Sequence, residues 1–167
     1  MDACAECGFD YDLARAAEVA DRAVAYAADY AELLALDPSL LRRRADPGVW
    51  SPLEYACHVR DVLLVMRERV LAARRTDTPT ATPMGRDERV DHDGYADQRP
   101  QDVARQLRDA ALLLANALNR LGEADWERTL VFTYPAESLR SLRWIALHTE
   151  HELRHHLLDI RRQVTAR

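Results

Sequence analysis

The sequence predicts an all-α fold, a four-helix bundle with a long loop between its second and third helices. Three observations carry this prediction. Four long stretches repeat apolar residues three or four positions apart, as amphipathic helices do. The 167 residues include only 5 Gly and 7 Pro, which argues against a turn-rich β fold. The four stretches are joined by modest connections, the pattern of a bundle. This length suits one domain with a single core. Residues 1–9 read as a short cysteine-bearing arm and residues 10–167 as the helical domain.

The first helix is expected from Asp10 to about Leu36, with Ala16, Ala20, Val24, Ala27, Tyr30 and Leu34 on its apolar side. Asp37 and Pro38 stop it, and residues 37–50 form a connector. Ser51, Pro52 and Glu54 then combine an N-cap, a proline at the first helical position and a capping box. The helix they start runs to about Arg75 and buries Leu53, Ala56, Val59, Leu63, Met66 and Val70. Residues 76–99 are rich in Pro, Gly and polar side chains, and read as a loop that is either mobile or lies over a site. Pro100 opens a third helix, which Gly122 ends. Thr129–Tyr134 (TLVFTY) has strand composition but no visible partner. Ser138 reads as the N-cap of a last helix that extends to about Val164.

Hydrophobic residues make up 48% and charged residues 31% of the chain, the mix of a globular protein. The net charge of -5 disfavours nucleic acid as a partner, because phosphate binding needs a basic surface. All basic residues are Arg, so lysine Schiff-base chemistry and a P-loop lysine are excluded. No apolar run approaches ~18 residues, so no membrane span is expected. The acidic start MDACAECGFDYD does not read as a signal peptide, and a cytoplasmic location is the expectation. Neither a G-x-S-x-G nor a Gly-rich phosphate loop occurs.

The residues that could carry chemistry are mostly histidines. His148, His151, His155 and His156 crowd the last predicted helix, and His58 stands on the second. Residues i and i+4 share a helix face, so His148, Glu152 and His156 form one stripe and His151, His155 and Asp159 the next. Two side chains four apart can grip one ion from one side, and His58 could close a third corner from a facing helix. Three protein ligands with open positions are the arrangement of a catalytic metal site. The same spacing also suits solvated or core histidines. Cys4 and Cys7 form a C-x-x-C that could share a zinc ion, but the second pair of ligands is missing. It would have to be His92 or symmetry partners. A redox pair and no special role are the other readings. Cys57 reads as a small core hydrophobe, with a reactive thiol as the other reading, and Trp50, Trp126 and Trp144 as packing anchors.

Trp50–His58 (WSPLEYACH) resembles the W-S-x-x-E/D-x-x-x-H segment of the DinB/YfiT-like superfamily. Ser141–Ile160 resembles its second signature, which ends H-x-x-x-H-x-x-Q-[IL]. The resemblance spans about residues 10–165. It implies a four-helix bundle, often a homodimer, that holds a divalent metal through three residues. It also implies thiol transfer or isomerisation with a low-molecular-weight thiol, as in the mycothiol-dependent maleylpyruvate isomerases. Aligning the terminal Q-[IL] with Asp159-Ile160 places the ligands at His58, Glu152 and His156. A register one residue earlier would use His151 and His155 with His58. Glu152 and Asp159 depart from the common pattern, and Asp159 could orient a ligand imidazole. The expected cofactors are Zn or Ni and a mycothiol-like or bacillithiol-like thiol, and the expected partner is a small-molecule substrate. A metal-dependent hydrolase and a non-catalytic binding or stress-response bundle are the rival readings.

Overall fold

The computed structural model describes residues 3–165, and four long helices dominate it: α1 (Val19–Leu34), α3 (Pro52–Arg75), α5 (Pro100–Leu118) and α7 (Leu142–Thr165). Residues 1–2 and 166–167, at the outer ends of the two expected segments, lie outside the described residues. Shorter helices α2 (Pro38–Arg42), α4 (Arg86–His92) and α6 (Glu123–Trp126) sit in the connections. Around the bundle α1 packs on α5, α5 on α3, α3 on α7 and α7 back on α1. Helices consecutive among the long four are therefore not always neighbours. The chain crosses the bundle diagonal between α1 and α3, and again between α5 and α7.

Each helix start has a local cause. Asp37 accepts the Ser39 N–H at 2.8 Å and caps α2. Ser51 accepts the Glu54 N–H at 3.3 Å while the Glu54 carboxylate accepts the Ser51 N–H at 2.7 Å, a complete capping box at the head of α3. Both residues are buried, and Arg44 grips Glu54 at 2.6 and 2.8 Å. The core between the helices is aliphatic, with Leu53, Leu63, Leu107, Leu114, Ile145 and Leu153 fully buried. Tyr30 is buried too, and its hydroxyl donates to the Leu153 carbonyl at 2.8 Å, satisfying the polar end of a core side chain.

Four expectations are corrected. The first helix does not begin at Asp10, since Leu13–Glu18 is a 3-10 turn capped by Asp12, and the α-helix starts at Val19. Residues 76–99 are not a bare loop. They contain α4 and a 3-10 turn at Tyr95–Asp97, and Thr80 pairs with Val131. The strand at Thr129–Phe132 (β1) does have a partner, the antiparallel strand Ser138–Ser141 (β2). Ser138 is consequently a strand residue, and the Ser141 hydroxyl caps α7 by accepting the Trp144 N–H at 3.3 Å. No helix among the described residues is long and apolar enough to cross a membrane.

Candidate metal centre

The capping box fixes where α3 begins, and His58 follows two helical turns later on the side facing α7. There it meets Glu152 and His156. The Glu152 Oε2 atom lies 3.6 Å from His58 Nε2 and 3.5 Å from His156 Nε2. The two imidazoles stand edge to face, with ring centroids 5.0 Å apart. One donor atom from each of the three residues falls within 4.8 Å of the others. These separations exceed ordinary hydrogen-bond lengths. They match the roughly 3.4 Å between two N or O ligands held about 2.1 Å from one tetrahedral ion. Two imidazoles and a carboxylate form a donor set that accepts Zn, Ni, Fe or Mn. On geometry and donor chemistry, these residues fit the divalent ion that the fold family implies.

Burial and neighbouring charges set the protonation of the three side chains, and an ion bound here would displace a proton from His156. Burial lowers the pKa of His58 and keeps the ring neutral. Burial also opposes charge on Glu152, but His151, His156 and His58 outweigh it and hold the carboxyl well below its usual range. For His156, burial is outweighed by the Asp159 and Glu152 carboxylates, which raise it to about 9. Asp159 approaches His156 Nδ1 to 3.0 Å, which orients the ring with Nε2 toward Glu152. Tyr55 stacks on His156, and the Trp50 ring lies 5.1 Å from His58.

His58 and Glu152 line a cavity of about 300 Å³, together with His148, Arg69, Arg86 and Tyr134. Met84 and Gly85 come to its edge from the connection before α4, so part of the 76–99 segment does lie over this site. Arg69 is half-buried over the Phe132 ring, and its Nε has no hydrogen-bond partner among the described residues. Arg86 lies over Tyr134. Arg89, one turn further along α4, turns away to Asp61 and the Met84 carbonyl.

His151 and His155 do not gather with His58. They face the N-terminal turn, where their ring nitrogens and the thiols of Cys4 and Cys7 come within 4.8 Å of one another. His92 is exposed at the end of α4 and belongs to neither group. His148 offers a further combination with His151 and Glu152. Burial lowers its pKa to about 4, and Tyr11 hydrogen-bonds its Nδ1 at 2.9 Å. Trp144 stacks on it at 4.5 Å, so this tryptophan packs against the site as well as the core. Cys57 is fully buried, and burial pushes its thiol up to about 12, which suits packing and not reactivity. Sequence reading missed Tyr11 and Arg69, because nothing in their local spacing signals contacts made across the fold.

The comparisons with known proteins agree with this architecture. A family model described as the DinB superfamily matches residues 17–160. YfiT from Bacillus subtilis superposes with a TM-score of 0.76 at 16% identity, covering 90% of this chain and 85% of that one. It is described as "a probable metal-dependent hydrolase with an unusual four-helix bundle topology". A mycothiol-dependent maleylpyruvate isomerase superposes with a TM-score of 0.70 at 15% identity, covering 89% of this chain and 60% of the isomerase. At such identities the likeness establishes the fold alone. No curated protein matches the chain.

Proposed function

The chain belongs to the DinB superfamily, and from that premise we propose that it is a divalent-metal-dependent enzyme transferring or isomerising a small molecule with the help of a low-molecular-weight thiol. The observation that carries the proposal is the convergence of His58, Glu152 and His156 beside a cavity edged by two arginines. The three residues would hold the ion, and Asp159 would keep the His156 ring in register. When bound, such an ion supplies Lewis-acid activation of a thiol or a water.

The remaining roles belong to side chains of the cavity. Arg69 and Arg86 would bind and orient an anionic end of the substrate. Both side chains line the cavity, and a guanidinium suits a carboxylate or phosphate acceptor. His148 stays neutral near pH 7 and would hydrogen-bond the substrate at the cavity wall. Phe132 and Tyr134 would limit water beside it. Mycothiol-like or bacillithiol-like thiols, Zn or Ni as the ion, a cytoplasmic location and pairing into a homodimer belong to the same proposal. They rest on the family resemblance.

Metal content per chain tests the site, measured by plasma mass spectrometry on wild type beside His58→Ala, Glu152→Ala and His156→Ala. Loss of one equivalent in each variant is expected. Turnover is then assayed with and without added thiol. Thiol-dependent turnover supports the proposal. The second reading is a hydrolase on the same scaffold, favoured by the description of YfiT, and it predicts turnover in water alone. A metal-loaded protein without turnover in either assay would leave a binding bundle.

A further inference from the structure

The stripe of α7 next to Glu152 and His156 carries His151 and His155, one residue earlier in each case and so rotated by about 100°. This stripe faces a tight turn of the N-terminal segment. Ala3 and Asp10 bridge across the turn in antiparallel fashion. Inside it the Cys4 N–H donates to the Phe9 carbonyl and the Gly8 N–H to the Cys4 carbonyl, each at 2.8 Å. Gly8 adopts φ +65°, a left-handed conformation that glycine takes without a Cβ penalty. The turn brings both thiols of Cys-x-x-Cys to one side, against α7. Arg154 Nε donates to the Cys7 carbonyl at 3.0 Å, and Phe9 is buried against the His151 ring.

Four donor atoms thus meet, one each from Cys4, Cys7, His151 and His155, all within 4.8 Å of one another. The Cys4 Sγ to His155 Nδ1 distance is 3.6 Å. A sulfur about 2.3 Å and a nitrogen about 2.0–2.1 Å from one tetrahedral zinc stand about 3.6 Å apart. A second, independent observation points the same way. Both ring nitrogens of His151 are buried, and neither has a hydrogen-bond partner among the described residues. A buried imidazole left unpaired is costly, and a metal bond would satisfy one of its two nitrogens, while Nδ1 lies 3.6 Å from a Glu152 oxygen. His155 Nε2, on the far side of its ring, faces the carboxylates of Glu6 at 3.6 Å and Asp159 at 3.8 Å. Both distances are too long for hydrogen bonds, so these carboxylates supply a favourable field on the outward side of the ring.

We propose that Cys4, Cys7, His151 and His155 form a second metal site, a closed Cys2His2 zinc centre that fastens the N-terminal turn to α7. Four protein ligands leave no open position, so the role is structural. Thiolates favour zinc over magnesium or manganese. The site lies beside the candidate catalytic centre on the adjacent stripe of the same helix, where His151 comes within 3.6 Å of Glu152. Clamping the turn also holds Tyr11 against His148 and Trp144, at the wall of the cavity. A disulfide between Cys4 and Cys7 would leave both imidazoles unused, and both cysteines are free thiols.

The test uses the full chain, purified under reducing conditions. X-ray absorption of the zinc form is expected to give sulfur scatterers at about 2.3 Å together with nitrogen scatterers at about 2.0–2.1 Å. Cobalt exchanged into the protein is expected to give a near-ultraviolet sulfur-to-cobalt charge-transfer band. Cys4→Ser and Cys7→Ser should abolish that band and remove one equivalent of metal. The double variant His58→Ala/His156→Ala should keep the band while losing the other equivalent. This separates failure of the second site from failure of the catalytic reading. Wild-type protein with bound metal but no sulfur scattering, or with no metal after reconstitution, would overturn the proposal. So would a charge-transfer band that persists in Cys4→Ser/Cys7→Ser. The wild-type spectrum decides the matter even if the cysteine variants do not fold.

Discussion

The Asp159 carboxylate lies 3.0 Å from Nδ1 of His156, on the opposite side of the ring from Glu152. One acceptor thereby sets both the tautomer and the direction of a candidate ligand. It stands where the superfamily pattern has glutamine, and it exchanges an amide for a full negative charge behind the imidazole.

Asp159→Ala should therefore weaken metal binding at the His58–Glu152–His156 centre by about 10- to 100-fold, the usual cost of losing such a partner. Competition titration against a chelator reads the affinity. An unchanged affinity would show that packing against Tyr55 alone positions the ring.

Arg86 is exposed and reaches the cavity from the start of α4. If the cavity takes an anionic ligand, Arg86→Ala should weaken binding of a simple carboxylate such as succinate about tenfold, in line with one lost charge-assisted contact. Binding of an uncharged ester should not change. Calorimetric titration of both probes checks this, and equal losses for acid and ester would remove the charge argument.

Asp61 on α3 is buried and accepts from Arg60 at 2.8 Å, Tyr95 at 2.7 Å and Arg89 at 3.0 Å, pinning the 76–99 segment to the bundle. Burial opposes its charge, but Arg60, Tyr95 and Arg89 outweigh it and depress its pKa. A depressed carboxyl stabilises the fold above its unfolded pKa of about 3.9. That contribution is lost as the pH falls through the folded value. Asp61→Asn should cost about 2 kcal/mol at neutral pH by leaving buried Arg60 with only the more exposed Asp93 as its counter-charge. Denaturant unfolding of both proteins at pH 7 and in acid measures the difference, which should shrink as the pH drops below about 4. A constant difference would mean that lost shape, not lost charge, is the cause.

Gly8 needs its left-handed backbone to close the Cys-x-x-Cys turn, and an added Cβ would meet only Arg154 at 3.8 Å. Gly8→Ala should therefore be strained but not blocked, at about 1 kcal/mol. For a chain of this size that corresponds to a Tm lower by about 3 °C, measurable by calorimetry. No change in Tm would indicate that the turn is not coupled to the global fold.

The sequence by itself determined the parts that are local in cause. The head of α3 was legible because Ser51, Pro52 and Glu54 make their contacts within one turn. The stripe of Glu152 and His156 was legible because helical periodicity alone puts i and i+4 on one face. The match of Trp50–His58 and Ser141–Ile160 to a known pattern gave the bundle and the expected ligand set. Tertiary structure decided what depends on partners distant in the chain. It set the order of helices around the bundle and paired β1 with Ser138–Ser141, a segment whose composition carries no strand alternation. It also decided how far α7 is rotated, and with it which histidines face α3 and which face the arm. By helical periodicity alone neighbouring stripes on α7 have equal claims, and the packing of α3 on one side and the N-terminal turn on the other is what separates them in space. Cys4 and Cys7 find their companions about 150 residues away, beyond the reach of any spacing rule, because a helix face is assigned by the elements that bury it.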